Sequence, residues 1–269
     1  MVLLNAVPVI TFLSDYGLSD DFVGVCHGVM ARICPSAVVI DLSHGVPRGD
    51  VRAGALMLSG ALPYSPVGVH LAVVDPGVGS ERRAIALATA DGRRLVGPDN
   101  GLLWLAAERA GGVLEAVDIG RSQFALQPVS ATFHGRDIFS PVAARLAAGA
   151  ALAEVGSAVE PGSLATLEVT RARLEDGVLV AHAVYVDAFG NVQLDADEVA
   201  FALGQPVHVA TVDGVSARAR YGRTFADVAA GELLVYEDSS RRLAVAVNQG
   251  SAAERLGLAV GDELRVSSP

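Results

Sequence analysis

The stretch VPVITFLSDYGLSDDFVGVCHGVMARICPSAVVID, residues 7–41, decides the fold. Val7–Leu13 is an apolar run of strand length, Asp20–Ile33 repeats apolar residues at helical spacing, and Ala37–Asp41 is apolar and β-branched again. Strand, helix and strand in that order form a βαβ unit, which implies an α/β layer with a largely parallel sheet. Working outward, Asp50–Leu62 reads as a helix and Val67–Val74 as a strand. Ala84–Ala90 and Arg94–Gly97 read as a strand pair around the turn Ala90-Asp91-Gly92, and Asn100–Arg109 and Ile138–Ala148 as helices. From Glu154 to Ala165 the chain is rich in Gly, Ser and Pro without amphipathic period, which reads as a linker. Seven short β-type runs follow: Val178–Val186, Asn191–Leu194, Pro206–Val212, Val215–Ala219, Leu233–Tyr236, Leu243–Val247 and Glu263–Val266. They suggest a small antiparallel barrel or sandwich. The expected organisation is an N-terminal α/β domain over residues 1–160 and a C-terminal β domain over residues 170–269.

Composition narrows the chemistry. All 20 basic residues among the 269 are Arg. Without Lys there is no Schiff base, no pyridoxal phosphate anchor and no Walker-A phosphate loop. Thirty acidic residues leave a net charge of -10, which argues against nucleic acid as a partner because phosphate binding needs a basic face. No apolar run reaches the length of a membrane span, and residues 1–8 lack a basic leader region. A cytoplasmic protein with no membrane partner is expected. Cys26 and Cys34 stand outside any zinc-like spacing and read as structural thiols.

In an open parallel sheet, ligands bind beyond the carboxyl ends of the strands, so polar residues that end apolar runs deserve the closest reading. Asp15 is one: a carboxylate there can accept both hydroxyls of a ribose. Asp20, just beyond, reads as a helix N-cap. Asp75 is the second, in VVDPGVGSERR at 73–83, where a Pro-Gly turn lets Asp75 and an Arg seven residues later face one cavity. An ordinary turn with a surface ion pair fits the same residues. The third place is TFHGRDIFSP at 132–141, where His134 can move protons near neutral pH or serve structure alone. Magnesium held by Asp15, Asp20 and Asp75 is the one metal alternative. In the second half, Tyr185-Val186-Asp187-Ala188-Phe189-Gly190-Asn191 reads as a strand entering a tight turn, and the Ser239 and Ser240 edge after Tyr236 can hold a carboxylate.

Together these segments resemble the S-adenosyl-L-methionine hydroxide adenosyltransferase family, the SAM hydrolases, relatives of the fluorinase and chlorinase enzymes. The resemblance spans nearly the whole chain: LSDYG at 13–17, DLSH at 41–44, VVDPGVGSERR, VGPDNGLL at 96–103, TFHGRDIFSP, DAFGN at 187–191, and YEDSS with AVNQGSAAERLGL towards the C-terminus. It implies a C-terminal β-barrel and a homotrimer whose active sites lie between the N-domain of one subunit and the C-domain of its neighbour. It also implies hydrolysis of S-adenosyl-L-methionine to adenosine and L-methionine with no cofactor and no metal. By the same resemblance Asp75, Arg82 and His134 are the catalytic set, with Arg83 adjoining Arg82. Asp15 would hold the ribose, Asp187 and Ser240 the methionine ammonium and carboxylate, and Asn191 the adenine edge, with Phe133, Tyr236 and Val247 near the purine. Position 27 departs from the family, being His27 where Lys is expected. The short stretch from Ala84 to Leu95 and the Asp/Arg/His set favour water over halide. The alternatives are a 5′-halo-5′-deoxyadenosine synthase, a non-catalytic SAM- or adenosine-binding module, and a metal-dependent phosphohydrolase.

Overall fold

The apolar run after Pro8 becomes strand β1 (Val9–Ser14) in a computed structural model that describes residues 7–196 and 201–269. It continues through α1 (Phe22–Ile33), β2 (Val38–Ser43), α2 (Val51–Ala61) and β3 (Val69–Val73). Both crossovers are right for parallel pairing: Val9 sits beside Val38 and Ile10 beside Val69. Then come β4 (Ala84–Thr89), β5 (Arg94–Pro98), α3 (Trp104–Arg109) and β6 (Val113–Asp118). A π-helical turn over Gly135–Phe139 leads into α4 (Ser140–Ala147), and α5 (Leu152–Val155) and β7 (Ser157–Val159) complete the sheet.

The sheet order is β2-β1-β3-β5-β4-β6-β7. It is a mixed sheet: β2, β1, β3 and β5 are parallel, and β5–β4, β4–β6 and β6–β7 pair antiparallel. β3 is buried along its whole length, as a strand covered on both faces must be. On one face Ile10, Phe12, Leu71, Val73 and Val96 meet Cys26 and Met30 of α1 and Val142 of α4. Both cysteines are free and buried, and burial pushes the Cys26 thiol up to about 11, which leaves it unreactive at neutral pH.

Two expectations are corrected. α1 starts at Phe22 after Asp21, which makes no side-chain cap, so Asp20 is not the N-cap. By contrast Asp50 does cap α2, accepting from the Ala53 amide at 2.9 Å. The expected linker from Glu154 to Ala165 carries the end of α5, strand β7 and a 3-10 turn, and the first compact unit ends at Leu167.

The second unit, Glu168–Pro269, holds β8 (Arg173–Glu175), β9 (Val178–Val186), β10 (Val192–Leu194), β11 (Pro206–Thr211) and β12 (Ser216–Tyr221). β13 (Leu233–Glu237), β14 (Leu243–Val247), α6 (Ala252–Leu256) and β15 (Glu263–Ser267) follow. The order β10-β14-β13-β12-β11-β15-β9 returns to β10, so seven strands close into a barrel and β8 lies outside on β9. These seven are the seven runs legible in the sequence. Closure removes free edges, and inward residues such as Leu194, Val209, Val235, Val245 and Leu264 fill the interior. All barrel pairings are antiparallel except β12–β13. No helix among the described residues is long and apolar enough to cross a membrane.

Candidate active site

β1 and β3 are parallel neighbours with Ser14 beside Val73, so the residues that follow them, Asp15 and Asp75, emerge side by side at the carboxyl ends of the sheet. Asp15 Oδ2 accepts from the Gly49 amide at 2.8 Å, which leaves Oδ1 for a ligand. Asp75 begins a turn closed by the Val78 and Ser80 amides, which returns the chain so that Arg82 folds back onto it. Gly79 makes this possible: its φ is +79°, and a Cβ there would stand 2.6 Å from the Ala131 carbonyl oxygen. The loop carrying Arg82 can therefore lie directly on the loop carrying His134.

Arg82 reaches Asp75 with two parallel donors, Nε to Oδ1 at 2.8 Å and Nη2 to Oδ2. Both side chains are mostly buried, at 11% and 6% exposure, so this is a desolvated pair and not the surface ion pair the sequence also allowed. The guanidinium lies over the Phe139 ring, 5.2 Å from its centroid. Nη2 also approaches His134 Nδ1 at 3.1 Å. Arg83 points elsewhere, to Asp99 Oδ2 at 2.7 Å and to Ser163. Of the two adjacent arginines, Arg82 is the one that meets Asp75 and His134.

This geometry fixes the state of His134. A guanidinium has no acceptor, so His134 Nδ1 accepts and the proton of the neutral ring sits on Nε2. Burial, and then the positive charge of Arg82, hold the imidazole pKa below its ordinary 6.5, so the ring is neutral at pH 7. Both Nη2 hydrogens of Arg82 are committed, whereas Nη1 makes no hydrogen bond among the described residues. Two donors, Arg82 Nη1–H and His134 Nε2–H, thus remain for an oxygen nucleophile.

Phe133 packs edge-on against Tyr16 and Phe22, at 5.8 and 5.2 Å between centroids. Tyr16 was not singled out by sequence, yet it is central here: its hydroxyl occupies the space a Gly135 Cβ would need, 2.0 Å away. Burial keeps that phenol protonated. Asp137 is buried and accepts from the Ser130 amide at 2.8 Å and from Arg136. Asp15, Asp20 and Asp75 form no carboxylate cluster among the described residues, and Asp75 is committed to Arg82.

In the second unit, a cavity of about 880 Å³ collects Asp187, Asn191, Tyr236, Ser239, Ser240 and Val247, every site residue expected from that half of the chain. Its floor is a row of cross-strand neighbours, Tyr185, Gln193, Ala244 and Tyr236 on β9, β10, β14 and β13. These alternate with the inward Val192 and Val245, so the cavity lies on the outer face of the barrel. Asp187 organises the β9–β10 turn. Its Oδ1 accepts from the Phe189 and Asn191 amides at 2.8 and 2.9 Å, and its Oδ2 accepts from Asn191 Nδ2 at 2.8 Å. The Asn191 amide is thereby oriented, with Oδ1 left as an acceptor for an amino group. Burial, then Asp238 and Asp187, push the Tyr236 phenol up to about 12. Asp238 accepts from the Ser240 and Arg242 amides at 2.8 and 3.0 Å, which shapes the YEDSS turn. Phe225, which packs 5.4 Å from Tyr236, and Gln193 were missed by sequence. The only signal for Gln193 was a polar residue at the outward position of Val-Gln-Leu.

Models of the SAM hydroxide adenosyltransferase N-terminal and C-terminal domains match residues 10–156 and 181–265. A Salinispora tropica protein named (R)-S-adenosyl-L-methionine hydrolase is 54% identical over 97% of this chain and 98% of its own. The crystal structure of an uncharacterized conserved protein from Thermotoga maritima is 37% identical, covering 96% of this chain and 99% of that one, with a TM-score of 0.89. A Nocardia brasiliensis protein named fluorinase is more distant, 29% identical over 96% of each chain.

Proposed function

The chain belongs to the SAM hydroxide adenosyltransferase family, and on that premise we propose that it hydrolyses S-adenosyl-L-methionine to adenosine and L-methionine by attack of water or hydroxide at the ribose C5′. The observation that carries this reading is the Asp75–Arg82–His134 cluster with its two unspent donors. A sulfonium is a cationic leaving group and departs as a neutral thioether. The water oxygen bonds to C5′ as the C5′–S bond breaks, the electron pair passes to sulfur, and one proton is released from the water. The protein's task is to hold that oxygen in line and stabilise its hydroxide character. Arg82 and His134 do so as donors, and Asp75 balances and fixes Arg82.

In this proposal Asp15 accepts the ribose hydroxyls and Asn191 Oδ1 the adenine amino group. Asp187, with one lone pair of Oδ2 still free, takes the methionine ammonium, and Ser240 with Ser239 the carboxylate. Phe133, Tyr236 and Val247 supply apolar contact to the purine. We further place the enzyme in the cytoplasm, as a homotrimer pairing the first unit of one subunit with the second unit of its neighbour. The division of the two residue sets between units supports that assembly, because the reaction draws on both. A monomeric mass by light scattering would remove it.

The direct test is to incubate purified protein with S-adenosyl-L-methionine, with and without chloride and a chelator, and to separate the products. Adenosine and methionine in equal amounts, indifferent to both additions, are expected. Chlorodeoxyadenosine would point to the halogenase chemistry of the fluorinase relatives, and saturable binding without product to a binding module.

His134 gives a finer test. His134→Ala should leave KM near the wild-type value and lower turnover by about 10²-fold or more. His134→Asn, which returns an acceptor near the Nδ1 position, should recover part of the loss by holding Arg82. Full activity in His134→Ala would remove the residue from the mechanism. The pH profile follows from the lowered pKa: His134 is neutral at pH 7 and protonates only as pH falls below 6.5. Protonated Nδ1 cannot accept from Arg82, so kcat should fall on the acid side, and that limb should vanish in His134→Asn.

A further inference from the structure

Three side chains that the hydrolysis does not use converge near the carboxyl end of β2. His27 comes from α1, Asp41 from β2, and His44 from the residues just after it. His27 Nε2 lies 2.8 Å from Asp41 Oδ1, and His44 Nε2 lies 3.0 Å from the same oxygen. Among the described residues, no other group of three His, Cys, Asp or Glu side chains brings its ligand atoms within 4.8 Å of one another.

His44 is the informative member. Its side chain is only 3% exposed. The ring is held by Phe12, edge-on at 4.7 Å, and by Ser14 Oγ, 2.7 Å from Nδ1. Yet Nε2 has no properly directed hydrogen bond, although it faces a carboxylate oxygen. A buried imidazole nitrogen 3.0 Å from a carboxylate oxygen, and poorly aligned for a hydrogen bond, can exchange that contact for a cation with less directional demand. His27 and Asp41 are 35% and 41% exposed, so an ion and its waters have access from that side.

We propose that His27 Nε2, Asp41 Oδ1 and His44 Nε2 form a binding site for a divalent transition-metal ion, with Zn²⁺ as the best match. Two imidazoles and one carboxylate are a zinc-type donor set and a poor one for magnesium or calcium, which prefer oxygen throughout. Zinc sits about 2.0–2.2 Å from such ligands, which in tetrahedral geometry sets them about 3.3–3.5 Å apart. From 2.8 and 3.0 Å the two observed separations would open by about 0.3–0.7 Å. Ser14 is the outer-shell partner such a site requires: by accepting Nδ1–H it leaves the lone pair of His44 on Nε2, facing the ion. The open side leaves the fourth position to water. Binding would also reach the substrate loop, because the Gly17 amide, two residues beyond Asp15, donates to the His44 carbonyl at 2.7 Å.

The test uses untagged full-length protein, dialysed against chelator and titrated with Zn²⁺ by calorimetry and with Co²⁺ by visible absorption. One ion per chain is expected, with the intense Co²⁺ bands of a four-coordinate site and a rise in melting temperature. His27→Gln and Asp41→Asn alter partly exposed side chains and should fold, as circular dichroism would verify. Each should weaken Zn²⁺ binding by at least about tenfold and abolish the Co²⁺ bands and the thermal shift. Absence of saturable binding would overturn the proposal. So would binding that both variants retain unchanged, which would mark adventitious coordination by other histidines.

Discussion

Arg82→Ala should lower kcat for S-adenosyl-L-methionine hydrolysis by about 10²–10³-fold, the usual cost of removing a preorganised donor from an oxyanion-like site. The loss should be larger than for His134→Ala, because Arg82 alone touches both partners of the cluster. Its removal also leaves Asp75, 6% exposed, as an unpaired carboxylate beside the nucleophile. That charge would repel hydroxide as well as forfeit its own pairing energy. Arg82→Lys should rescue little, since one ammonium cannot reproduce the two parallel donors to Asp75. The neighbouring Arg83→Ala supplies the control. It frees Asp99 and Ser163, not Asp75 or His134, so its effect should appear in melting temperature with kcat unchanged. Steady-state kinetics beside thermal unfolding would separate the two arginines. Wild-type kcat in Arg82→Ala, or a kcat defect in Arg83→Ala at unchanged stability, would reverse the assignment.

The second large effect is expected at Asp187, and on the other kinetic constant. Its carboxylate accepts three hydrogen bonds within the β9–β10 turn and orients the Asn191 amide. Asp187→Ala deletes all three, frees Asn191 to rotate, and removes the proposed partner of the methionine ammonium. Hydrogen bonds to a charged group are worth about 1.5–3 kcal/mol each, so KM should rise by about 10–10²-fold while kcat at saturation changes less. Calorimetric titration with adenosine, which lacks the methionine portion, separates the two causes. Weakened adenosine binding would report the loss of Asn191 orientation, and unweakened binding would confine the defect to the ammonium contact. A variant with unchanged KM would exclude Asp187 from substrate recognition.

How much of this was legible in sequence depended on how local each cause was. The seven barrel strands could be read because each is a short β-type run set off by turn residues, and Val178–Val186 and Leu243–Val247 came out with their observed bounds. β6, Val113–Asp118, was missed because Leu114 and Glu115 break the buried pattern at a sheet position whose outer half faces solvent. β7 and β8 are three residues each with little apolar content, Ser-Ala-Val and Arg-Leu-Glu, unlike the Val-Gln-Leu of β10, and β7 was submerged in an apparent linker. In the antiparallel half of the first sheet the β4–β5 pair was legible around its Ala90-Asp91-Gly92 turn, but the insertion of β5 between β3 and β4 was not, because distant partners fix it. At the site, the strand-end rule located Asp15 and Asp75. The choice of Arg82 over Arg83 depended on a turn geometry set by Gly79 and the Ala131 carbonyl, 52 residues along the chain, and no spacing rule contains that. Tyr16 and Phe225 belong to the same class, recognised only once packing brings them to Gly135 and Tyr236.

The barrel closes through β10, a strand of three residues that bridges β14 and β9. A seam so short is where amide hydrogen exchange should begin, since few bonds must break to open it. The cavity described above lies across that seam, with Tyr185, Gln193 and Ala244 as its floor and the Asp187 turn at its end. A ligand there fastens the closure by mass action, and a hydrolase consumes its own fastener. Amide exchange across Val192–Leu194 should therefore slow when the cavity is filled.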